Sequence, residues 1–405
     1  MRILTLTNWY PPHHRGGYEW TCGQVMTRLA ERGHDVLVLC SDERFADVAE
    51  TSEPLPVRRE LRMYWKNERP WRPGIRGQLE IERHNQAALE RALDEHQPDV
   101  VSAWHMAAFS LNLLTSIHRR GTPISYAICD VWPSYTLTMD PWAKRFRGRL
   151  RGIVGNAVER RYGVPSVLPE IDEMGFASFL SKSTRDDVRV NSPWRFPNAD
   201  VIYPGIDRAS LAATGNIPPR TAWKWELAYL GRFDARKGTE TLVRALPLLP
   251  KASLVMYGRD GDEERQRLVT LAESLGVADR LSFGPFGKVG EACRRADCVI
   301  FPSEWPEPFG LIPLESMECD TPVVATGTGG SGEFLVDGEN CLLMAPGDPA
   351  SLAAAVERLA ADPALRDRLR VGGRKTAAEF DIVRTVDGYE HRFESLIEDR
   401  IRAGG

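Results

Sequence analysis

Several features are scarce in this 405-residue sequence, and each scarcity removes a class of protein. Its seven cysteines, at positions 22, 40, 129, 293, 298, 319 and 341, include no Cys-x-x-Cys pair. That excludes a zinc ribbon or a disulfide framework and reads as the reduced thiols of a cytoplasmic protein. No stretch approaches the ~18 apolar residues needed to cross a bilayer. The opening, MRILTLTNWYPPHH, has one apolar run, too short for the core of a signal peptide, and it ends in turn residues. Charge of one sign is also scarce: with a net charge of -4, nothing global argues for a nucleic-acid partner. No Gly-x-Gly-x-x-Gly follows the first apolar run, which discounts a dinucleotide-dependent dehydrogenase.

What is present is ordinary in bulk and ordered in detail. The chain is 42% apolar and 27% charged, and its length suits two domains of about 200 residues each. Short apolar runs alternate with longer amphipathic ones. Strands are expected at 3–7, 35–40, 100–103 and 124–128. A second series is expected at 226–230, 252–257, 280–283, 298–301, 322–325 and 341–344. Alternation of this kind argues parallel sheets covered on both faces. The fold class is therefore α/β, with two doubly wound domains facing across a cleft. The linker is expected between Tyr203-Pro-Gly-Ile-Asp207 and Pro218-Pro219, where Pro and Gly cluster. Ligands of such sheets bind beyond the carboxyl ends of the strands.

Three stretches carry phosphate chemistry. Gly16-Gly17 lies between a strand and a helix, where backbone amides can approach an anion. It reads equally as a structural turn. In GRFDARKG, Arg232 leaves a strand and Lys237 opens a helix, a pair of cations suited to a diphosphate. The plain alternative is a surface loop, although cations at a helix start oppose the helix dipole. The third stretch is SEWPEPFGLIPLE, residues 303–315. Pro308 keeps Glu307 extended, and Pro313 fits the first turn of a helix starting near Gly310. The early amides of Gly310, Leu311 and Ile312 form an anion cradle. Glu307 stands at its mouth and Glu315 lies about 7 Å along the axis. Carboxylates on both flanks suit hydroxyls, a sugar on one side and a ribose on the other. Alternatively Glu307 caps the helix and Glu315 is solvated. Glu304 is left as a loop residue. Asp260-Gly261-Asp262 has the form of a metal-binding pair but opens a charged helix and reads as a cap. No metal is expected.

Two basic-aromatic stretches, 58–77 and 144–161, stand in the N-terminal half. They read as solvated helix faces and loops, or as a contact surface for an anionic acceptor or membrane face.

These motifs, in this order, closely resemble the retaining GT-B glycosyltransferases called family four. GRFDARKG, LSFGPF, ADCVIFPSEWPEPFGLIPLESM, TPVVATGTGGSGE and ENCLLMAPGDP all fall in family order, strongest over 226–373. The N-terminal half matches through Gly16-Gly17, RGHDVLVLC, PDVVSAW and YPGID. The resemblance implies two Rossmann-like domains. Residues 1–205 bind the acceptor, residues 206–380 bind the nucleotide sugar, and a last helix, 381–401, packs back on the first domain. It implies a metal-independent hexosyltransferase without cofactor. The sugar passes from a UDP-, GDP- or other nucleotide-diphosphate donor to a glycan, lipid-linked or small-molecule acceptor. Gly16 and Gly17 meet the donor phosphate, and Arg232 and Lys237 neutralise the leaving diphosphate. Glu307 binds the donor sugar beside Phe309, Gly310 and Leu311, and Glu315 holds the ribose. Gly258 and Phe286 complete the donor set. The expected location is the cytoplasm, with peripheral contact at the inner membrane face through the basic stretches.

Two departures stand out. Where the family has a histidine followed by an acid, this chain has Cys129-Asp130. Either the sugar contact is altered, with Asp130 or His105 taking it over, or Cys129 is a core thiol. Asp320 stands where the family has glycine. The rival readings are a GT-B nucleotide-sugar epimerase or hydrolase, and a non-catalytic nucleotide-sugar binder.

Overall fold

The computed structural model describes every residue except 47, 49–52, 67–68, 168, 214–216, 218–221, 259–261, 286, 288 and 405; of 149, 150, 262, 403 and 404 it describes the backbone alone. Two compact units emerge: Met1–Tyr203 with Thr385–Gly405, and Pro204–Arg384.

In the first unit, β1 (Arg2–Leu6), β2 (Asp35–Ser41) and β3 (Val57–Leu61) precede a small antiparallel hairpin of β4 (Trp65–Lys66) and β5 (Arg69–Pro70). Then come β6 (Val100–Ala103), β7 (Ile124–Ile128), β8 (Phe176–Phe179) and β9 (Ala199–Val201). Seven strands form one sheet in the order β3-β2-β1-β6-β7-β8-β9, parallel throughout. β6 and β7 are buried at every residue, which is why they read as apolar runs broken only by Ser102 and Ser125. Their side chains join Leu4, Leu39, Phe109 and Phe179 in the main core.

Besides the β4–β5 hairpin, three strands of the large sheet depart from the expected set. β3, sequence VRREL, lies inside the basic stretch that reads as helix faces and loops. It is an edge strand whose charges are matched: Arg58 pairs with Glu95 at 2.6 Å, and Arg59 binds Glu53. β8 and β9 have only four and three residues, too few to show a period.

The last helix, Ile382–Gly404, returns its C-terminal part to the first unit. Tyr389 lies 5.1 Å from Trp104, and Arg392 pairs with Asp200 at 2.6 Å.

In the second unit, β10 (Glu226–Leu230), β11 (Ser253–Tyr257), β12 (Leu281–Gly284), β13 (Cys298–Phe301), β14 (Val323–Ala325) and β15 (Leu342–Leu343) form a parallel sheet ordered β12-β11-β10-β13-β14-β15. Both sheets reverse their winding between adjacent strands, β1 and β6 in one, β10 and β13 in the other. Crevices at such reversals are where doubly wound sheets hold ligands. The expected linker contains a helix, Arg208–Ala213, six residues and too short for a visible period. Its Pro218-Pro219 end lies outside the described residues.

Candidate functional site

The loop leaving β10 carries the first cations. Asp234 accepts from the Arg236 amide at 3.0 Å and caps a single 3-10 turn, Ala235–Lys237. Its carboxylate also takes the Arg236 guanidinium at 2.7 Å. Those Arg236 hydrogen bonds pull the Asp234 carboxyl down to about 2. Lys237 therefore closes a turn instead of opening the helix, which begins at Thr239. Gly238 intervenes with a φ of 71°, and a Cβ there would stand 2.1 Å from the Pro302 carbonyl oxygen. That close approach fastens the β10 loop to the loop after β13. Arg232 is exposed and forms no ion pair among the described residues.

The loop after β13 supplies the acid. Glu307 is 4% exposed, and its Oε1 accepts from Lys237 Nζ at 2.6 Å and from Ser303 Oγ at 2.6 Å. Its Oε2 has no partner among the described residues. The Gly330 amide donates to the Glu307 carbonyl at 2.7 Å. Gly329, with φ 60°, lies so close that a Cβ would stand 2.4 Å from that carbonyl oxygen. Trp305 covers the cations, its ring 5.3 Å from Lys237 Nζ. Glu304 is anchored by Thr241 Oγ1 at 2.6 Å.

The helix after this loop runs Leu311–Glu318, with Gly310 as its N-cap at φ 93° and no side chain capping it. A Cβ on Gly310 would meet the Phe301 ring at 2.7 Å. Glu315 is half-buried and its carboxylate has no hydrogen bond or ion pair among the described residues; burial pushes its carboxyl up to about 7. An acid desolvated without a partner is a group held ready for one. The Phe309 ring is buried between Phe334 at 5.0 Å and Phe380 at 5.5 Å, so a donor contact at this position falls to its backbone. Gly258 is fixed by packing: a Cβ there would stand 2.2 Å from the Gly231 carbonyl oxygen. Phe286, Asp260 and Gly261 lie outside the described residues. Asp262 begins a helix, Asp262–Ser274.

Asp320 now has an account. It follows the C-cap of the Leu311–Glu318 helix with φ 59°, the left-handed position where glycine is favoured. Its carboxylate binds Arg374, and its carbonyl accepts from Arg370 Nε at 3.0 Å.

The first unit gathers a second set at its own winding reversal. Gly16 is extended and caps the Gly17–Glu31 helix without a side-chain bond, and a Cβ on Gly17 would meet nothing within 4 Å. After β6, His105 stacks on Tyr18 at 4.7 Å. Its Nε2 lies 3.1 Å from Tyr135 Oη and 3.4 Å from Asp130 Oδ2, while its buried Nδ1 has no partner among the described residues. After β7, Asp130 also accepts from Tyr135 Oη at 2.7 Å and from the Trp132 amide at 2.8 Å. Burial opposes ionisation of Asp130, but His105 and these hydrogen bonds outweigh it and hold the carboxyl below its ordinary value. Cys129 is buried, and burial pushes its thiol well up. Sequence reasoning passed over Ser303, Tyr18 and Tyr135. Only Tyr135 had a signal, five residues beyond Asp130 at the start of a Trp-Pro helix.

Two parallel sheets of this winding, each with its polar groups at the reversal, define the GT-B class of α/β protein. The family profile described as "Glycosyltransferase Family 4" matches residues 15–210, and that described as "Glycosyl transferases group 1" matches 218–376. A D-inositol 3-phosphate glycosyltransferase of Frankia alni is 30% identical over 290 residues, 59% of this chain and 70% of that protein. The lipopolysaccharide core biosynthesis glycosyltransferase LpsE of Rhizobium meliloti is 37% identical over 185 residues, 45% of this chain and 52% of its own length. The crystal structure of Anabaena HepE in complex with UDP and glucose superposes with a TM-score of 0.69 at 20% identity, covering 98% of this chain and all of the other. The chain belongs to the group 1, family 4 glycosyltransferases. It spans about half the length of the curated relatives that head the comparison.

Proposed function

We propose that this chain transfers a sugar from a nucleotide-diphosphate sugar to a hydroxyl of a glycan, lipid-linked or small-molecule acceptor, with retained configuration and without a metal. The observation that carries the proposal is the Lys237–Glu307 pair beside an uncapped helix start, with Arg232 exposed on the same loop as Lys237. The named activities of LpsE and the inositol-phosphate enzymes support it, as does the UDP and glucose held by HepE.

In this reading Arg232 and Lys237 hold the diphosphate, and the Gly310 and Leu311 amides assist. Glu307 Oε2 accepts from a donor-sugar hydroxyl, and Glu315 accepts from the ribose. The C1–O bond to phosphate breaks, the electron pair leaves with the diphosphate, and the cations stabilise that charge. The acceptor oxygen bonds to C1 on the same face, and its proton passes to a leaving phosphate oxygen. Gly16 and Gly17 offer amides to a substrate phosphate. His105, held by Asp130 and Tyr135, presents Nδ1 to a substrate hydroxyl, and Cys129 serves as a core thiol.

A panel of nucleotides and nucleotide sugars, screened for thermal stabilisation, identifies the donor. Transfer is then followed with and without EDTA. The expected result is a nucleoside diphosphate ligand and acceptor-dependent turnover unaffected by EDTA. Chelator inhibition reversed by magnesium or manganese would remove the metal-free mechanism. Donor consumption at full rate without acceptor would identify a hydrolase instead.

A further inference from the structure

The two basic stretches, some seventy residues apart in the chain, come together in the first unit. Tyr64 and Ile81 from one region pack with Trp142, Phe146 and Val164 from the other in a small separate core, against which Trp71 and Val158 also pack. Arg145 Nε donates to Gln78 Oε1 at 3.3 Å, and Arg72 donates to the Thr138 carbonyl at 3.1 Å.

The helix Arg149–Tyr162 lies over this core. Val158 and Gly155 face inward, Gly155 so tightly that a Cβ would stand 3.0 Å from the Ser166 carbonyl oxygen. Ile153, Ala157 and Arg161 follow at intervals of four on the outward side, with Val154 and Arg160 beside them. Ile153 is 62% exposed and Val154 56%. Tyr162 ends the helix, exposed as well.

The charge of this face is uncommitted. Arg58 and Arg59 are spent on Glu95 and Glu53, and Glu159 is spent on Arg119. Lys144, Arg147, Arg151, Arg160 and Arg161 are exposed and form no ion pair among the described residues. A solvated helix face has no need of adjacent Ile and Val among its arginines. A nucleic-acid surface has no use for them either, and the chain's net charge is -4. Aliphatic side chains amid unpaired cations, with a tyrosine at the margin, match the boundary of an anionic bilayer, where acyl chains take the first and headgroups the second. We infer that the Arg149–Tyr162 helix docks this chain flat on an anionic lipid surface. This concerns where the chain works and does not depend on the sugar-transfer reading.

The test is co-sedimentation of the whole chain with vesicles, without donor or acceptor. Vesicles of phosphatidylcholine alone are compared with vesicles carrying about 30% phosphatidylglycerol. Binding to the anionic vesicles is expected to be about tenfold tighter at low salt and to weaken several-fold at roughly 0.5 M salt. Ile153→Ser with Val154→Ser, and separately Arg160→Gln with Arg161→Gln, should each weaken it by about tenfold while leaving the melting temperature unchanged. Equal binding to both vesicles, or variants that bind like the wild type, overturns the inference. So does a dimer in solution that dissociates on Ile153→Ser and Val154→Ser while vesicle binding is absent.

Discussion

Lys237 and Glu307 stand seventy residues apart in sequence and 2.6 Å apart in space, with the carboxylate almost wholly buried. The cation we propose for a diphosphate is thus held in place by the acid we propose for a sugar. Each positions the other before any substrate arrives. Neither loop alone creates this arrangement. It needs the Gly238–Pro302 approach that joins them.

Lys237→Ala should therefore do two things. It removes the cation proposed to face the leaving diphosphate, and on that reading turnover should fall about 10²–10³-fold. It also leaves Glu307 buried beside Ser303 alone, which costs roughly 1–3 kcal/mol in urea unfolding. Adding Glu307→Gln should recover most of the stability and none of the turnover. Wild-type activity in the single variant would end the assignment.

Glu315 yields a pH prediction. Its carboxyl titrates near 7 in the folded chain, raised by burial above the ordinary glutamate value of 4.5. The native state thus binds more protons than the unfolded state between those values. Stability is fully present below the lower value and is lost as pH rises through the upper one. Glu315→Gln should unfold a few degrees above the wild type at about pH 8, with the two converging at about pH 4. Nucleotide affinity should fall in the same variant. A lower melting temperature at pH 8 would mean that Glu315 has a stabilising partner when folded.

Much of this was legible because both sheets are buried parallel ones. β2, β7, β10, β11, β13 and β14 each present an apolar run of at least three residues, and β1, β6 and β12 an apolar run broken by one Thr or Ser. The start of the Leu311–Glu318 helix was legible to within one residue, because Pro308 and Pro313 each restrict the backbone in a known direction and Gly310 permits the positive φ between them. β3 was hidden because its arginines are neutralised by partners outside the strand, Arg58 by the distant Glu95. The same reason hid the Lys237–Glu307 contact, the burial of the Phe309 ring and the His105–Tyr135–Asp130 set. Pairing across a fold has no local spacing to read.

Asp320 tests how a glycine position tolerates another residue. Its φ of 59° costs a non-glycine residue about 1 kcal/mol, and the Arg374 pair at the surface returns a fraction of that. Asp320→Gly should gain roughly 0.5 kcal/mol or break even, since strain goes as the pair goes. Asp320→Ala keeps the strain, loses the pair, and should be the least stable of the three by about 0.5–1 kcal/mol. Chemical denaturation ranks them, and an alanine variant as stable as the glycine one would refute the strain account.

Cys129 and His105 offer a contrast between two neighbours at the same reversal. Cys129 is buried, its thiol has no hydrogen bond among the described residues, and burial disfavours its thiolate. As a packing residue it should tolerate Cys129→Ala with turnover within about twofold and a stability loss near 1 kcal/mol. His105 is held by a stacked ring, a carboxylate and a phenol, and its remaining nitrogen is buried without a partner among the described residues. If that nitrogen meets a substrate hydroxyl, His105→Ala should lower kcat/KM about 10²-fold. Tyr135→Phe, which leaves the ring and Asp130 in place, should lower it by much less. Steady-state kinetics on the three variants decides between the positions. A large loss on Cys129→Ala with none on His105→Ala would move the substrate contact back to residue 129.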